Sequence, residues 1–300
     1  MHQGMTKPPS SRSERRAASD TPGTRPSRAG RNLPTAIGVG VGLGVLILAS
    51  LVFRKEAFLV VVTVGACVAL WELRGGLAQG KINVPLVPSM VGAVAMITAA
   101  FVGGGQALTV CFGLTCISVL LWRVADGLHD AIRDISGGIF VAAYVPLLAS
   151  FSVLMLKEPD GVQRVCVFMI VTICSDVGGY AVGVLAGKHP MAPSISPKKS
   201  WEGAAGSALA CVIGGIATVM LILGGTWWAG AIVGLALVVS ATVGDLTEST
   251  IKRDLGIKDM GSILPGHGGF MDRMDSLLLS APVAWALLAL LVPVAGSPVA

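Results

Sequence analysis

A polar segment from Asp245 to Ser276 separates two apolar stretches that are each long enough to cross a bilayer. It contains five Asp, one Glu, five Lys, Arg or His residues and five Gly, in a chain of which only 13% is charged. Ionisable groups at a membrane boundary are costly, so a cluster of them indicates a functional site. Carboxylates suit a metal ion, cations suit phosphate oxygens, and glycines let backbone N–H groups approach a ligand. The segment therefore predicts a site that handles a metal-bound polyphosphate.

Three aspartates of this segment are candidate ligands of a divalent cation. Asp272 and Asp275 are three residues apart and would share one face of a helix, and Asp245 ends the preceding apolar stretch at the same boundary. Carboxylates there could hold Mg²⁺, which prefers oxygen ligands and keeps positions open for phosphate. A solvated loop of salt bridges is the alternative interpretation of the same charges.

Other residues of the segment are candidate contacts for phosphate. Six side chains could bind anionic oxygens or add positive charge near the aspartates: Ser249, Lys252, Arg253, Lys258, His267 and Arg273. The run from Leu264 to Gly269 is a turn sequence rather than a helix. Its glycines, among them Gly268 and Gly269, would let main-chain N–H groups line an anion pocket.

Two further features could contribute to the same site. In residues 187–202, Lys198 and Lys199 could grip phosphate, while Trp201 could stack on a base. Ordinary anchoring at the membrane interface is the alternative for these residue types. Asp176 lies inside an apolar stretch and should face the bundle interior or a hydrated cavity. There it would line the site or make a hydrogen bond between helices.

The composition identifies the class of protein. The 300 residues are 53% hydrophobic with a mean hydropathy of +0.77, more apolar than an ordinary soluble domain. Alternating glycines in the first apolar run favour close helix packing. We expect N-terminal transmembrane helices within 33–156 and a C-terminal catalytic region, 162–300, with cytoplasmic loops 187–202 and 245–276. The apolar runs predict an all-α, polytopic integral membrane protein with about nine transmembrane helices, near residues 33–53, 57–73, 84–102, 106–122, 136–156, 162–186, 203–223, 226–244 and 277–296.

Charge is distributed unevenly along the chain. Residues 1–32 are rich in Ser, Pro, Arg and Gly, and they predict a disordered basic cytoplasmic tail. This tail accounts for the net charge of +5, so the neutral remainder gives no indication of nucleic-acid binding. Most other basic residues fall in loops on the side of the tail, and the opposite side has only Arg54, Lys55, Lys157 and Arg164. The asymmetry predicts a multi-pass protein of the cell (plasma) membrane with its active site facing the cytoplasm.

The C-terminal motifs resemble the signature of the CDP-diacylglycerol synthases, also called phosphatidate cytidylyltransferases. The signature is present as Gly244-Asp245, Ser249-Thr-Ile-Lys252-Arg253, Lys258-Asp259, Pro265-Gly-His267-Gly268-Gly269 and Asp272-Arg273-Met-Asp275. Two upstream stretches also resemble the family: Ser175-Asp176 and the run Ile195-Ser196-Pro197-Lys198-Lys199-Ser200-Trp201-Glu202-Gly203. The first five predicted helices match it only in general hydropathy.

The resemblance implies transfer of CMP from CTP to phosphatidic acid, giving CDP-diacylglycerol and pyrophosphate in phospholipid biosynthesis. The partners would be CTP, phosphatidic acid and membrane lipid, and the cofactor Mg²⁺; a second cation and a homodimer are left open. Asp245 and Asp272 would hold the metal, with Asp275 close by. Catalytic roles are expected for Lys252, Arg253, Lys258, Asp259, His267 and Arg273. Substrate contacts are expected from Asp176, Ser196, Lys198, Lys199, Trp201, Glu202, Ser249, Gly268 and Gly269.

Two other classes of function fit parts of the sequence. One is another membrane lipid enzyme that uses CTP or a CDP-alcohol, such as a polyprenol or phytol kinase. The phosphotransferase run DG-x₂-AR begins at Asp126-Gly127, but no Ala-Arg follows. The other is a secondary transporter, which would place ionisable groups at the midplane of several helices. Here the charge collects in one boundary layer, which favours the enzyme.

Overall fold

The computed structural model describes residues 33–127, 130–263 and 268–294 as a helical bundle with one short β-hairpin. In chain order its helices are α1 (Leu33–Phe53), α2 (Lys55–Gln79), α3 (Leu86–Asp126), α4 (Ala131–Ala142), α5 (Leu148–Lys157), α6 (Gly161–Ala186), α7 (Trp201–Leu223), α8 (Trp227–Asp254) and α9 (Met271–Leu291). A π-helical turn, Ala143–Leu147, joins α4 to α5. The predictions for the tail 1–32, for His267 and for the side chain of Lys198 lie outside what is described.

The prediction of a polytopic helical membrane protein is confirmed. Seven helical stretches of the described residues are long and apolar enough to cross a membrane: Lys55–Gln79, Leu86–Asp126, Ala131–Lys157, Gly161–Ala186, Trp201–Leu223, Trp227–Asp254 and Met271–Leu291. A shorter apolar helix covers Gly42–Phe53. The count of about nine transmembrane helices stays a prediction.

Helix α3 is folded back on itself at Gly104. Its 41 residues would measure about 60 Å as a straight helix, twice the hydrocarbon thickness of a bilayer. Gly104 has φ 73° and ψ −156°, outside the helical region, and a methyl group at Gly92 would collide with the side chain of Thr115. Residues 92 and 115 lie on opposite sides of the break, so their contact requires two antiparallel arms. These arms correspond to the separate segments predicted near 84–102 and 106–122.

The polar connections differ from the prediction in two respects. The segment 187–202 is not wholly loop, because strands β1 (Pro190–Ala192) and β2 (Ser196–Ser200) pair antiparallel before α7 begins. The protein is therefore not entirely helical. The loop predicted over 245–276 is shorter, since α8 continues to Asp254 and α9 begins at Met271. Asp245 and the nine residues after it are helical, which fixes the spacing of their side chains.

Close helix contacts occur at glycines of α6, α7 and α8. A methyl group at Gly234 of α8 would overlap the Cys211 carbonyl of α7, and one at Gly206 of α7 would lie 2.8 Å from the Gly178 carbonyl of α6. Small residues thus allow these helices to approach backbone to backbone. For α1, the predicted close packing is wrong at Gly38, Gly42 and Gly44, because a methyl group at these positions would meet no described atom within 4 Å.

Helix α9 lies between two buried apolar clusters. Its first half, through Met271 and Leu278, joins a cluster formed largely by α2 to α5. Its second half, through Ala284 and Leu288, joins a cluster formed largely by α6 to α8. The helix that carries Asp272 and Asp275 is therefore packed against both halves of the chain.

Charged residues lie at two opposite ends of the bundle. At one end, Lys55 Nζ donates to the Glu158 carbonyl at 2.8 Å and Lys157 Nζ to the Val102 carbonyl at 3.2 Å. At that end Arg164 donates to the carbonyls of the last turns of α9. The described polar segments 187–202, 255–263 and 268–270 lie at the other end. The separation agrees with the two groups of basic residues in the sequence.

We predict that Gly234→Ala destabilises the bundle while Gly113→Ala does not. The added methyl group at Gly234 overlaps the backbone of α7, and overpacking of this kind costs about 1–3 kcal/mol. A methyl group at Gly113, on α3, meets no atom within 4 Å. Thermal unfolding of the purified protein in detergent measures the difference. Equal midpoints for the two variants would contradict the close crossing of α7 and α8.

Candidate active site

Asp272 connects three pieces of the C-terminal region. It lies in the first turn of α9, where its Oδ2 accepts hydrogen bonds from the backbone N–H groups of Met260 and Gly269, each at 3.0 Å. Its Oδ1 is 2.6 Å from Nζ of Lys252 on α8. One carboxylate therefore fixes the loop before α9 to α9 itself and to the end of α8. The negative charge at a helix N-terminus is also favourable for the helix dipole.

Asp245 connects α8 to the β-hairpin. Its Oδ2 forms an ion pair with Nζ of Lys199 on β2. Its Oδ1 lies 3.5 Å from the hydroxyl of Ser249, one helical turn further along α8. Arg253, another turn on, donates from Nε to the carbonyl of Ile195 at 3.3 Å. The hairpin is thus held along the face of α8 on which the sequence predicted phosphate-binding side chains.

Asp275 is brought to α8 by a close approach of two backbones. A methyl group at Gly244 would lie 2.5 Å from the backbone carbonyl of Asp275, so only glycine fits this contact. The Asp275 carboxylate is 9% exposed and accepts hydrogen bonds from the N–H and hydroxyl of Ser276, at 2.7 and 3.3 Å. Asp275 therefore lies beside the residue that precedes Asp245.

Glu248 is an acidic residue of this site that the sequence analysis missed. It is fully buried on α8, and neither carboxylate oxygen has a hydrogen-bond partner among the described residues. Its nearest cation is Lys252, whose Nζ lies 3.6 Å from Oε1. The apolar run ends just before Asp245, so hydropathy does not distinguish a buried Glu248 from a solvated one. Because α8 continues to Asp254, residues 245, 248, 249 and 252 lie on one face of the helix.

A small polar cavity lies beside these residues. Its volume is about 280 Å³, and it is lined by side chains of α6, the hairpin, α7, α8 and α9. Asp176, Lys199 and Asp245 all line it, so the predicted position of Asp176 in a cavity within the bundle agrees with the structure. The cavity combines a cation with two carboxylates.

A larger apolar groove of about 600 Å³ adjoins the polar cavity. Its walls come from α1, α2, α6 and α9, and most lining side chains are aliphatic, such as Ile47, Val64 and Leu277. Asp176 and Ser276 line both spaces, and Arg273 lines the groove close to them. The groove is therefore polar where it meets the cavity and apolar along the rest of its length, between the membrane-spanning helices.

Some predicted site residues serve other purposes or lie apart. Trp201 is 61% exposed, and Ser196 pairs across the hairpin with Ala192. Lys258 and Asp259 are exposed on the loop, with no ion pair to the central carboxylates in the described parts of the chain. Gly268 has φ 84° and Gly269 leaves no room for a side chain, which agrees with the predicted tight turn.

The donor set has the right chemistry for a hard cation. Within the described ranges, no three acidic, His or Cys side chains already stand as a metal-binding group. Asp245 and Asp272 are instead paired with Lys199 and Lys252. The buried carboxyl group of Glu248 nevertheless lies beside that of Asp275, and two neighbouring acidic groups with Lys252 as their nearby cation would favour added positive charge. Oxygen ligands of this kind fit Mg²⁺, and the assignment of Asp245, Asp272 and Asp275 as its ligands stays a prediction.

Comparison with known proteins identifies the family. The model of the cytidylyltransferase family matches residues 34–291, nearly the whole described chain. The chain belongs to this family. It is 42% identical over 289 residues to the phosphatidate cytidylyltransferase of Mycobacterium bovis, covering 92% of this chain and 94% of that protein. The enzyme of the same name from Mycobacterium leprae is 42% identical over 298 residues, covering 93% of each chain. The Brucella suis enzyme is 35% identical over 184 residues, covering 60% of this chain and 65% of that protein.

Glu202 holds the hairpin of this cytidylyltransferase-family site in place. Its Oε2 accepts hydrogen bonds from the backbone N–H groups of Lys188 and His189, at 3.1 and 3.2 Å, and its Oε1 is 2.5 Å from Nδ1 of His189. Ser200 caps α7 by accepting a hydrogen bond from the N–H of Gly203 at 3.1 Å. These contacts fix both ends of the hairpin that carries Lys199.

We predict that Glu202→Ala loosens the hairpin. The variant loses three contacts to a charged group, so amide exchange in residues 188–200 should become several-fold faster. Hydrogen–deuterium exchange followed by mass spectrometry measures this change. Lys188→Ala is the matched control, because it keeps the backbone N–H that Glu202 binds. The same exchange rates in both variants would show that Glu202 does not hold the hairpin.

Proposed function

We propose that this protein is a phosphatidate cytidylyltransferase, which transfers CMP from CTP to phosphatidic acid and releases pyrophosphate. Membership of the cytidylyltransferase family and the names of its relatives support the reaction class. The observation that carries the substrate assignment is the junction at Asp176 and Ser276. There a charged cavity meets an apolar groove, as a reaction between a nucleotide and a membrane lipid requires.

The reaction needs no protein nucleophile. An oxygen of the phosphatidate phosphate attacks the α-phosphorus of CTP, a new P–O bond forms, and the bond to the β-phosphate oxygen breaks with its electron pair leaving on pyrophosphate. Both reactants are anions, so the site must reduce their repulsion and hold them in line. The cluster of Lys199, Lys252, Arg253 and Arg273 supplies positive charge for this purpose.

Lys199 and Lys252 would contact the phosphates. Lys199 lines the polar cavity and is paired with Asp245, and Lys252 is paired with Asp272. These pairs keep the ammonium groups at the end of the bundle and hold their positions before substrate arrives. Mg²⁺ held by Asp245, Asp272 and Asp275 would add positive charge at the triphosphate. The lysines would then stabilise phosphate oxygens and the leaving pyrophosphate.

The apolar groove would hold an acyl chain of the lipid. Its aliphatic walls match a hydrocarbon chain, and its polar end has Arg273 and Asp176 where the lipid phosphate must approach CTP. Arg273 is the cation on this side, so it would bind the lipid phosphate. Asp176, shared by both spaces, would orient the cations around the two phosphates.

The orientation in the membrane follows from the distribution of charge. The site lies at the end of the bundle that carries most basic residues, and by the positive-inside rule this supports a cytoplasmic orientation, which we propose for the cell membrane. CTP would arrive from the cytosol while the lipid stays in the bilayer. Nine transmembrane passes would bring the tail and the site to the same side, if α1 and each arm of α3 cross the membrane.

A radiolabel experiment distinguishes this function from the lipid kinase alternative. The purified protein is given CTP labelled in the α-phosphate, with either phosphatidic acid or dolichol. A cytidylyltransferase leaves the label in CDP-diacylglycerol, whereas a kinase releases it as CDP. Label in CDP with dolichol as acceptor would overturn the proposal.

We predict that Asp245→Asn and Asp272→Asn each abolish CDP-diacylglycerol formation without loss of expression. Each variant removes a carboxylate from the proposed Mg²⁺ site, and EDTA should have the same effect on the unaltered protein. Asp254→Asn is the matched control, since Asp254 is exposed at the end of α8 and makes no ion pair within the described residues. Near-normal activity of both site variants would refute the metal assignment.

We predict that Val64→Trp impairs the use of long-chain phosphatidic acid. Val64 is 57% exposed and lines the groove, so an indole there would narrow the acyl site. The ratio kcat/KM should fall about tenfold for dioleoyl lipid and little for a short-chain analogue, while the KM for CTP stays the same. Val91→Trp, on an exposed face of α3 away from the groove, is the control. An equal loss with both chain lengths would argue against the groove.

A further inference from the structure

A buried carboxylate of the N-terminal half contacts the start of α9. Glu72 lies on α2 and is 2% exposed. Its Oε2 accepts a hydrogen bond of 2.8 Å from the backbone N–H of Met271, which is 199 positions further along the chain. The first N–H groups of a helix have no partner within the helix. Glu72 therefore satisfies one of them from a distant helix.

The space around Glu72 is shaped by two glycines of the loop before α9. A methyl group at Gly261 would overlap the Glu72 carboxyl group. A methyl group at Gly269 would lie 2.9 Å from Glu72 Oε2 and 2.6 Å from Asp272 Oδ2. The carboxylates of Glu72 and Asp272 thus flank the same glycine. Asp272 holds the loop by its N–H groups, and Glu72 holds the first residue of the helix.

Burying the Glu72 carboxylate costs free energy, and its hydrogen bond to α9 is the interaction that can offset this cost. A buried carboxylate loses its hydration, and Oε1 of Glu72 has no hydrogen-bond partner among the described residues. An apolar side chain could fill the same space without that cost, and such replacements are often neutral or stabilising. The hydrogen bond to Met271 is the interaction that an apolar side chain could not make.

We propose that Glu72 is a positioning residue for nucleotidyl transfer: it fixes the first turn of α9, and with it Asp272 and Asp275. The inference rests on the proposed function, because it assigns these two aspartates to the reacting phosphates and their cation. It also gives the N-terminal half a part in the reaction. The carboxylates of Glu72 and Asp272 lie on either side of Gly269, and Glu72 affects the site through the backbone of α9.

The test compares Glu72→Ala, Glu72→Gln and a control at the opposite end of the same helix. Arg164 is 3% exposed and donates to the carbonyls of Leu288 and Val292, at 2.8 and 2.6 Å. Arg164→Met therefore releases the C-terminal end of α9 and leaves its N-terminal end intact. Glu72→Gln keeps an oxygen that can accept the hydrogen bond from Met271.

Two measurements are made on each variant. The first is hydrogen–deuterium exchange of the peptide covering 268–275, in EDTA and without substrate. Glu72→Ala should accelerate this exchange about tenfold or more, as expected for loss of a hydrogen bond to a charged group. The second is the Mg²⁺ concentration that gives half-maximal CDP-diacylglycerol formation, which should rise by a similar factor. Glu72→Gln should stay close to the unaltered protein in both, and Arg164→Met should change neither.

Gly261→Ala tests the same contact from the other side. Its methyl group displaces the Glu72 carboxylate, so alone it should reproduce the effects of Glu72→Ala. In a Glu72→Ala background the space is free, and the second substitution should add little. Such non-additivity is expected of residues in contact or coupled through a shared space, and not of distant, independent sites.

The outcomes separate this inference from the proposed function. If Glu72→Ala changes neither the exchange at 268–275 nor the Mg²⁺ requirement, Glu72 is only structural and the inference fails. If the unaltered protein makes no CDP-diacylglycerol, the proposed function fails instead, and the exchange measurement still decides whether Glu72 holds α9.

Discussion

The structure depends on pairing charged groups at a boundary where isolated charges are costly. The carboxylate of Asp272 meets this constraint most fully, because one oxygen pairs with Lys252 and the other accepts two backbone N–H groups. Each partner comes from a different segment: α8, the loop, or the turn before α9. A charge that needs several partners in a region of low dielectric brings those segments together. The site is therefore assembled by the same interactions that make its charges tolerable.

The close approach of neighbouring helix backbones at glycines also assembles the site. Hydrophobic attraction does not drive helices together in lipid, so contact depends on close packing and hydrogen bonds. Gly244 lets α8 touch the backbone of α9 at Asp275, and Gly178, Gly206 and Gly234 do the same for the crossings of α6, α7 and α8. With the helices this close, Asp245 and Asp275 reach one boundary layer. The glycines determine how closely the helices approach, and this approach brings the charged side chains together.

In the proposed reaction, the polar cavity would take the nucleotide and the apolar groove the lipid. Lys199, Asp245 and Asp176 line the polar cavity, while the adjoining groove is bounded by aliphatic side chains of α1, α2, α6 and α9. The nucleotide and the lipid can then meet without either leaving its own medium. The groove also explains why the N-terminal helices belong to the enzyme even though the charged residues of the signature lie in the last third of the chain. They supply its walls, and through Glu72 they contact the helix that carries the aspartates.

The sequence alone determined the class of protein, the helical architecture and the family, and it supplied most of the acidic and basic residues proposed for the site. Hydropathy and charge are properties of the chain itself, and the signature is contiguous, so these conclusions needed no coordinates. Only the tertiary structure revealed Glu72 and Glu248. Glu72 acts on a residue 199 positions away, and no local pattern connects the two. Glu248 lies in a polar stretch whose hydropathy indicates a loop, whereas α8 continues to Asp254 and buries it. Polar residues are compatible with both states, and it is the packing of α8 against α9 and the hairpin that selects the helix.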